Sequence, residues 1–465
     1  MTGSSTRSRL WPEVRQISAL AGPVALAELG WMSMTTVDTI MIGPLGPAAI
    51  GAIGIGSSAF YSFAIFGMGL LLGLDTLVSH SFGAGDRQDC HRSLMQGIYL
   101  ALFITPPLML LFFLMPPLFY RLGINPKVSA LAGQFLLTLS ASTLPLLLYG
   151  AQRRYLQAIG HVRAVMFVLI SANLVNWLFN WVLIRGHWGF RPLGVVGSAL
   201  STCLARAYMA AALAAFIWWY ERGLSPGLRT MFQKPDFSRL RRLVQIGLPA
   251  AGTILLEIGA FGAAGVLAGR LTPVALAAHQ IALNCAAISY MIPLGTSSAA
   301  AVSVGRAIGA RMPHRARRAG YISTGIACVS MSISAVLFIL YPRPILHIYT
   351  ADPGVIAQGT GLLALAACFQ LFDGVQTVVT GALRGLGQTR IPMLVNFVGY
   401  WAIGLPAGYV LCFSYGFGVY GLWCGLTLAL VIIALILLHT WQRESRALVS
   451  SSLRQWSESS APVER

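Results

Sequence analysis

The chain has 465 residues, of which 56% are hydrophobic and only 10% are charged, and its mean hydropathy is +0.71. Soluble domains carry roughly 25% charged residues, so this composition excludes an ordinary soluble protein and indicates a membrane protein with many spans. The net charge of +18 comes from basic residues scattered between apolar runs. We therefore interpret them as topology signals and expect no nucleic-acid partner.

Twelve apolar segments of transmembrane length follow one another along the chain. They predict an all-α integral membrane protein with helices at residues 17–42, 48–78, 94–119, 129–150, 164–184, 194–220, 243–268, 275–303, 319–341, 354–381, 392–413 and 417–440. A tail (1–16) precedes them, a polar linker (221–242) divides them into two sets of six, and a second tail (441–465) follows.

Basic residues alternate between the two sides of the predicted membrane. One side carries 25 Lys and Arg in its tails and loops, the other side carries six, and Arg206 lies within the sixth segment. Because Lys and Arg are concentrated in cytoplasmic loops, this ratio places both termini in the cytoplasm. We expect a multi-pass protein of the cytoplasmic (inner) membrane.

The second half of the chain repeats positions of the first half at a shift of 226 residues. The matched pairs include Pro23 with Pro249, Gly69 with Gly295, and Gly83 with Gly309. Six helices per repeat give both halves the same orientation. We therefore predict two six-helix lobes, residues 17–220 and 243–440, related by a pseudo-twofold axis along the membrane normal, as in rocking transporters.

Five acidic residues fall within the apolar segments, where an ionised carboxylate costs several kcal/mol. They are Glu28, Asp38, Asp75, Glu257 and Asp373. Since the segments contain no Lys and only Arg206 as a basic partner, some of these carboxylates are expected to bind protons, metal cations or cationic substrates. We assign ion and substrate coupling to Asp38, Glu257 and Asp373, and keep Glu28 and Asp75 as further candidates. The alternative is hydrogen bonding between helices, and for Asp75 a role at a helix end.

Amide side chains form two further polar patterns within the spans. Asn173, Asn176 and Asn180 lie on one face of the fifth helix, and Gln280 and Asn284 form an i,i+4 pair on the eighth. Amide oxygens are good ligands for hard cations, so these residues are candidates for cation or substrate binding. Ordinary hydrogen bonding between helices is the alternative.

The chain lacks the motifs of common enzyme chemistry. It contains no HExxH and no Walker A sequence, its eight histidines are expected in loops or near helix ends, and its seven cysteines form no CxxC pair. We therefore expect no enzyme, no cofactor and no bound metal beyond a transported Na⁺. Any work that the protein does must draw on an ion gradient.

Four sequence stretches resemble the multidrug and toxic compound extrusion (MATE) family of antiporters, within the MOP superfamily. They are "VDTIMIG", "AAHQIALN", "FDGVQTVVTGALRGLGQT" and "YWAIGLPAGYVL". The resemblance covers most of the chain and is closer to the NorM-like branch than to the DinF branch. It implies a cation-coupled (Na⁺ or H⁺) antiporter that exports organic cations by alternating access and works as a monomer in the lipid membrane.

The resemblance also implies particular site residues. An acidic pair on helices 7 and 10 matches Glu257 and Asp373, and a first-helix aspartate matches Asp38. Several DinF-type members carry an aspartate where this chain has Asn180, so a site of Asp38, Asn176, Asn180 and Thr202 would hold one negative charge instead of two. The main alternative is a flippase of the same superfamily for a lipid-linked or anionic substrate. Such a flippase would need basic residues in its cavity.

Overall fold

Helices account for nearly all of the chain that the structure, a computed structural model, describes: residues 4–223 and 234–459. The α-helices are α1 (Ser4–Ile42), α2 (Pro47–Leu70), α3 (Gly73–Gly83), α4 (Arg87–Leu114), α5 (Pro116–Arg121), α6 (Pro126–Ser140), α7 (Thr143–Ile159), α8 (Val162–Arg185), α9 (Gly194–Glu221), α10 (Phe237–Ala268), α11 (Pro273–Gly309), α12 (Pro313–Leu340), α13 (Pro342–His347), α14 (Pro353–Gly385), α15 (Arg390–Asn396), α16 (Leu405–Tyr409) and α17 (Val419–Ser459). Two π-helical stretches, Phe397–Gly404 and Val410–Ser414, flank α16. Residues 224–233, within the predicted linker, lie outside the described residues.

The membrane spans agree with the sequence prediction. Eleven helices in the described residues are long and apolar enough to cross a membrane, and α6 with α7, which are bent by 48°, form a twelfth. Many of these helices begin at a proline, which suits the first helical position because its missing N–H would have no partner there. The prediction of an all-α protein with twelve spans is therefore confirmed.

The bend between α6 and α7 has a local cause in the sequence "SASTLP". The hydroxyls of Ser140, Ser142 and Thr143 each donate to the backbone carbonyl three residues earlier, at 2.6–2.7 Å. Pro145 adds a missing N–H in the first turn of α7. Side chains that compete for helical carbonyls break the backbone hydrogen-bond series and bend the helix at this point.

The chain divides into two compact units whose boundaries differ from the halves of the sequence. One unit consists of Met1–Ala25, Ser79–Gly85 and Gly252–Arg465, and the other of Leu26–Val78 and Asp86–Ala251. The helices α1 and α10 therefore each contribute residues to both units. The predicted lobe bounds, 17–220 and 243–440, follow the internal repeat and stay a prediction.

Each of these two helices contains a proline close to the boundary between the two units. Pro23 lies inside α1 and Pro249 inside α10, and in each case the unit changes after the second following residue, Ala25 or Ala251. A proline inside a helix removes one backbone hydrogen bond. The two prolines are also partners under the shift of 226 residues.

Close glycine contacts repeat in the two units with the same register. A Cβ atom on Gly69 would lie 2.6 Å from Cα of Ala251, and one on Gly295 would lie 2.6 Å from N of Ala25. These four residues are the matched pairs of the internal repeat. Only glycine permits such close backbone approach, so the repeat predicted from sequence is also a repeat of contacts.

A second pair of glycines brings the end of α3 against α11. A Cβ on Gly83 would lie 2.1 Å from the carbonyl oxygen of Arg306, and one on Gly309 would lie 1.9 Å from that of His80. The shift of 226 residues pairs Gly83 with Gly309 and His80 with Arg306, so the contact maps onto itself. Its four members lie within one unit.

The core of the C-terminal half surrounds α14. This helix packs against α11, α12 and α17, and the buried rings of Phe369 and Trp423 lie 5.4 Å apart between α14 and α17. Asp373, one turn after Phe369, is consequently held among buried apolar neighbours with 6% of its surface exposed.

Candidate cation and substrate sites

Asp38 is bound by side chains from two other helices. The residue is 8% exposed. Asn180 Nδ2 of α8 donates to Asp38 Oδ1 at 2.6 Å, and Thr202 Oγ1 of α9 donates to Asp38 Oδ2 at 3.1 Å. The carboxylate near the end of α1 is thus held in a buried, polar environment.

Asn176 completes this N-terminal site. Asn180 Nδ2 also donates to Asn176 Oδ1 at 3.1 Å, and Asn176 Nδ2 donates to Thr202 Oγ1 at 3.5 Å. The four-residue spacing places both amides on the face of α8 that packs on α9. Asn173 does not join them, because its Nδ2 donates to the Leu169 carbonyl of its own helix.

The N-terminal site presents several oxygen atoms to a small cation. They belong to one carboxylate, two amides and one hydroxyl, and Asn180 Oδ1 is buried with no hydrogen-bond partner among the described residues. Oxygen ligands of this kind suit Na⁺, and the carboxylate alone suits a proton. The coupling roles of these residues stay a prediction.

Glu257 of α10 and Asp373 of α14 lie together in the C-terminal half. Both line one cavity of about 660 Å³, with Phe261, Tyr290 and Phe369 among its walls. No Lys, Arg or His lines that cavity, and no salt bridge to either carboxylate is found in residues 4–223 and 234–459. The two acidic groups therefore share an apolar cavity without a basic neighbour.

A hydrogen-bonded chain ties the glutamate of this pair to the π-helical stretch. Gln376 Nε2 donates to Glu257 Oε2 at 3.4 Å, and the Tyr400 hydroxyl donates to Gln376 Oε1 at 3.1 Å. Asp373 Oδ1 is buried and has no hydrogen-bond partner within the described part of the chain. An unpartnered buried carboxylate oxygen is a ready acceptor for a proton or another cation.

The predicted amide pair on α11 is divided between two environments. Gln280 lines the same cavity as Glu257 and Asp373. Asn284 lies outside its lining, and its Oδ1 accepts a hydrogen bond from the Tyr349 hydroxyl at 3.0 Å. The structure thus brings Gln280, and not Asn284, to the acidic pair.

The two further acidic candidates form ion pairs. Arg153 pairs with Glu28, and Arg154 Nη1 lies 3.5 Å from Asp75 Oδ2. The sequence predicts a loop after residue 150 that contains both arginines, but α7 continues to Ile159. Arg153 is buried on that helix and Arg154 is partly buried. The expectation that Arg206 is the only basic partner for the five carboxylates was therefore wrong, because α7 extends further than its apolar run and supplies two more arginines.

A buried polar cluster at the end of α9 was not predicted from the sequence. Glu221 was placed in a loop, yet it is 1% exposed, lies 2.9 Å from His91 Nε2 and accepts a hydrogen bond from the Tyr155 hydroxyl at 2.7 Å. His279 is likewise buried inside α11, where its Nδ1 accepts from Trp423 Nε1 at 3.0 Å. A possible signal was that Glu221 directly follows the apolar run of the sixth span.

Comparison with known proteins gives one consistent family. The MatE family profile matches residues 23–182 and 249–410. The "Probable multidrug resistance protein NorM" of Mesorhizobium japonicum is 34% identical over 96% of this chain and 97% of its own length. The "Multidrug resistance protein NorM" of Burkholderia vietnamiensis is 35% identical over 93% of this chain and 94% of its own.

The fold also matches solved structures. The crystal structure of the eukaryotic MATE transporter AtDTX14 superposes with a TM-score of 0.83 at 21% identity, covering 95% of this chain and 99% of that one. At that identity the structural likeness supports the fold, while the family profile and the bacterial relatives support common ancestry. Together with the twelve spans and the buried carboxylates, they show that this chain belongs to the MatE family.

Proposed function

We propose that the protein is a cation-coupled antiporter that exports organic cations and drugs across the cytoplasmic membrane. The observation that carries this proposal is the cavity of about 660 Å³ in which Glu257 and Asp373 lie among apolar and aromatic walls. Carboxylates attract a cation, and the rings of Phe261 and Tyr290 suit the flat, apolar body of an organic cation. The NorM relatives are named as multidrug resistance proteins, which agrees with this chemistry.

Exchange follows from competition at shared carboxylates. Facing outside, the carboxylates load Na⁺ or H⁺ and release the organic cation; facing inside, they release the ion and bind substrate again. Because binding of one ligand weakens binding of the other, the two movements are coupled. Asp38, with Asn176, Asn180 and Thr202, provides a further cation site in this scheme.

The energy available from an ion gradient is sufficient. One charge moved through 100 mV is worth about 2.3 kcal/mol, and each tenfold drug gradient requires about 1.4 kcal/mol. A one-for-one exchange of monovalent cations moves no net charge. The membrane potential therefore contributes only when extra ions move, which three acidic residues permit.

The cavity chemistry argues against the flippase alternative. A lipid-linked or anionic substrate needs basic groups, whereas the residues that line this cavity include two carboxylates and no Lys or Arg. We further propose that the protein works as a monomer in the inner membrane, with both termini cytoplasmic and without a resident cofactor. It is a transporter and not an enzyme.

Ethidium efflux from proteoliposomes tests the proposal and identifies the driving ion. Wild type is measured under a Na⁺ gradient and, separately, under a pH gradient. Glu257→Gln and Asp373→Asn are each expected to lose most of the gradient-driven efflux. Glu444→Gln makes the same chemical change on α17, outside the cavity lining, and should behave as wild type. Unchanged efflux in both cavity variants would remove the acidic pair from the mechanism.

A further inference from the structure

Arg206 of α9 is a buried cation whose direct partners are all neutral. It is 1% exposed. Its Nη1 donates to Ser142 Oγ at 2.7 Å, its Nη2 donates to the Tyr61 hydroxyl at 3.0 Å, and its guanidinium carbon lies 4.6 Å from the centre of the Phe60 ring. No carboxylate of the described residues lies within 4.0 Å of its nitrogens.

Such a cation requires a compensating negative charge nearby. A guanidinium does not deprotonate in proteins, and an uncompensated charge away from water costs several kcal/mol. Two acidic residues of the same unit, Glu28 and Asp75, are already paired with Arg153 and Arg154. They are therefore poor candidates to balance Arg206.

Asp38 is the third acidic residue that this unit holds within the predicted spans, and no ion pair to it is found among the described residues. Its oxygen atoms are bound by neutral groups, and Arg206 is the charged group that acts on it electrostatically. Thr202, which donates to Asp38, precedes Arg206 by four residues on α9. That spacing places both on one helix face, about 6 Å apart along its axis. The two charges thus belong to one buried polar region without touching.

We propose that Arg206 is the fixed counter-charge of Asp38. When no cation is bound at Asp38, the two residues make the buried region neutral overall. When a coupling cation binds there, the region becomes positive, so Arg206 lowers the affinity of Asp38 for that cation and aids its release. The cavity of Glu257 and Asp373 has no such basic residue, and it should therefore load a cation at a lower concentration than Asp38 does.

The role of Arg206 in ion release rests on the proposed function. The charge balance between Arg206 and Asp38 does not, so a measurement of protein stability tests that balance alone. The melting temperatures of purified Asp38→Asn, Arg206→Gln and the double variant are compared. Each single change leaves one buried charge uncompensated, so the double variant should recover at least half of the summed loss. Additive losses of melting temperature in the double variant would overturn the proposal. A double variant that accumulates in the membrane no better than Arg206→Gln would overturn it as well.

A matched control separates charge from hydrogen bonding. Tyr61→Phe removes one neutral partner of Arg206 and leaves both charges in place. Combined with Asp38→Asn, it should lower the melting temperature additively. If Asp38→Asn combined with Tyr61→Phe recovered as much melting temperature as Asp38→Asn combined with Arg206→Gln, the coupling would not be one between charges. That result would overturn the proposal.

The concentration of driving ion that gives half-maximal efflux tests the role in transport. Arg206→Gln should lower it at least tenfold, whereas Arg206→Lys, which keeps the charge, should stay within twofold of wild type. An unchanged value in Arg206→Gln would overturn the assigned role. If Asp38→Asn instead transports as wild type, the site fails as a coupling site, while the stability comparison still decides whether the two charges balance.

Discussion

A single methyl group placed at the contact between α3 and α11 should destabilise the protein. In Gly309→Ala the new Cβ would lie 1.9 Å from the His80 carbonyl oxygen, whereas real Cβ atoms essentially never come within 3.0 Å of a neighbour. The two backbones must therefore separate by about 1.1 Å, the difference between these distances. The reciprocal contact between Gly83 and Arg306 would be lost with it. Overpacking of this kind costs about 1–3 kcal/mol, and helix propensity returns up to about 1 kcal/mol.

The matched control for this experiment is Gly325→Ala on α12. Apart from the backbone of its own helix and its two chain neighbours, no atom of the described residues lies within 4 Å of a Cβ at that position. Only the gain in helix propensity therefore remains, and the melting temperature of this variant should equal or exceed that of wild type. Thermal unfolding of the purified proteins in detergent measures both. A Gly309→Ala protein as stable as Gly325→Ala would refute the argument that close backbone approach requires glycine here.

Three other expectations concern the polar residues inside the membrane. Asn180→Asp adds a second negative charge beside Asp38, so Na⁺ should stabilise the variant at lower concentration than wild type in a thermal shift assay; an equal or higher concentration would contradict a cation site there. Glu28→Gln leaves Arg153 without its counter-ion and should destabilise the fold by about 3–5 kcal/mol in denaturant unfolding. The variant with both residues replaced by Gln should be destabilised less, and the opposite order would argue against a buried pair. Gln376→Met removes the donor to the cavity glutamate, and ethidium efflux should change in its dependence on the driving ion; an unaltered dependence would show that this hydrogen bond is not used.

Much of the fold could be predicted because long apolar runs determine it directly. Twelve runs gave twelve spans, including the bent pair of α6 and α7. The N-terminal site was also within reach, since a four-residue helical spacing placed Asn176 and Asn180 on one face whatever the surroundings. For the site to form, the helices α1, α8 and α9 then needed only to pack against one another.

The remaining features depend on contacts that a single sequence does not encode locally. The ends of helices extend beyond their apolar runs, so Arg153 and Arg154 were predicted in a loop although both lie on α7, where Arg153 is buried. Gln280 and Asn284 have the same spacing as Asn176 and Asn180, yet different neighbouring helices separate their roles. In each case the deciding partner lies far away in the chain.

The two prolines near the unit boundaries within α1 and α10 have a mechanical consequence. Asp38 follows Pro23 on α1, and Glu257 follows Pro249 on α10, so each acidic group sits beyond a point where its helix has one backbone hydrogen bond fewer. Each helix therefore bends more easily between its first turns and its acidic residue than a helix without an internal proline does.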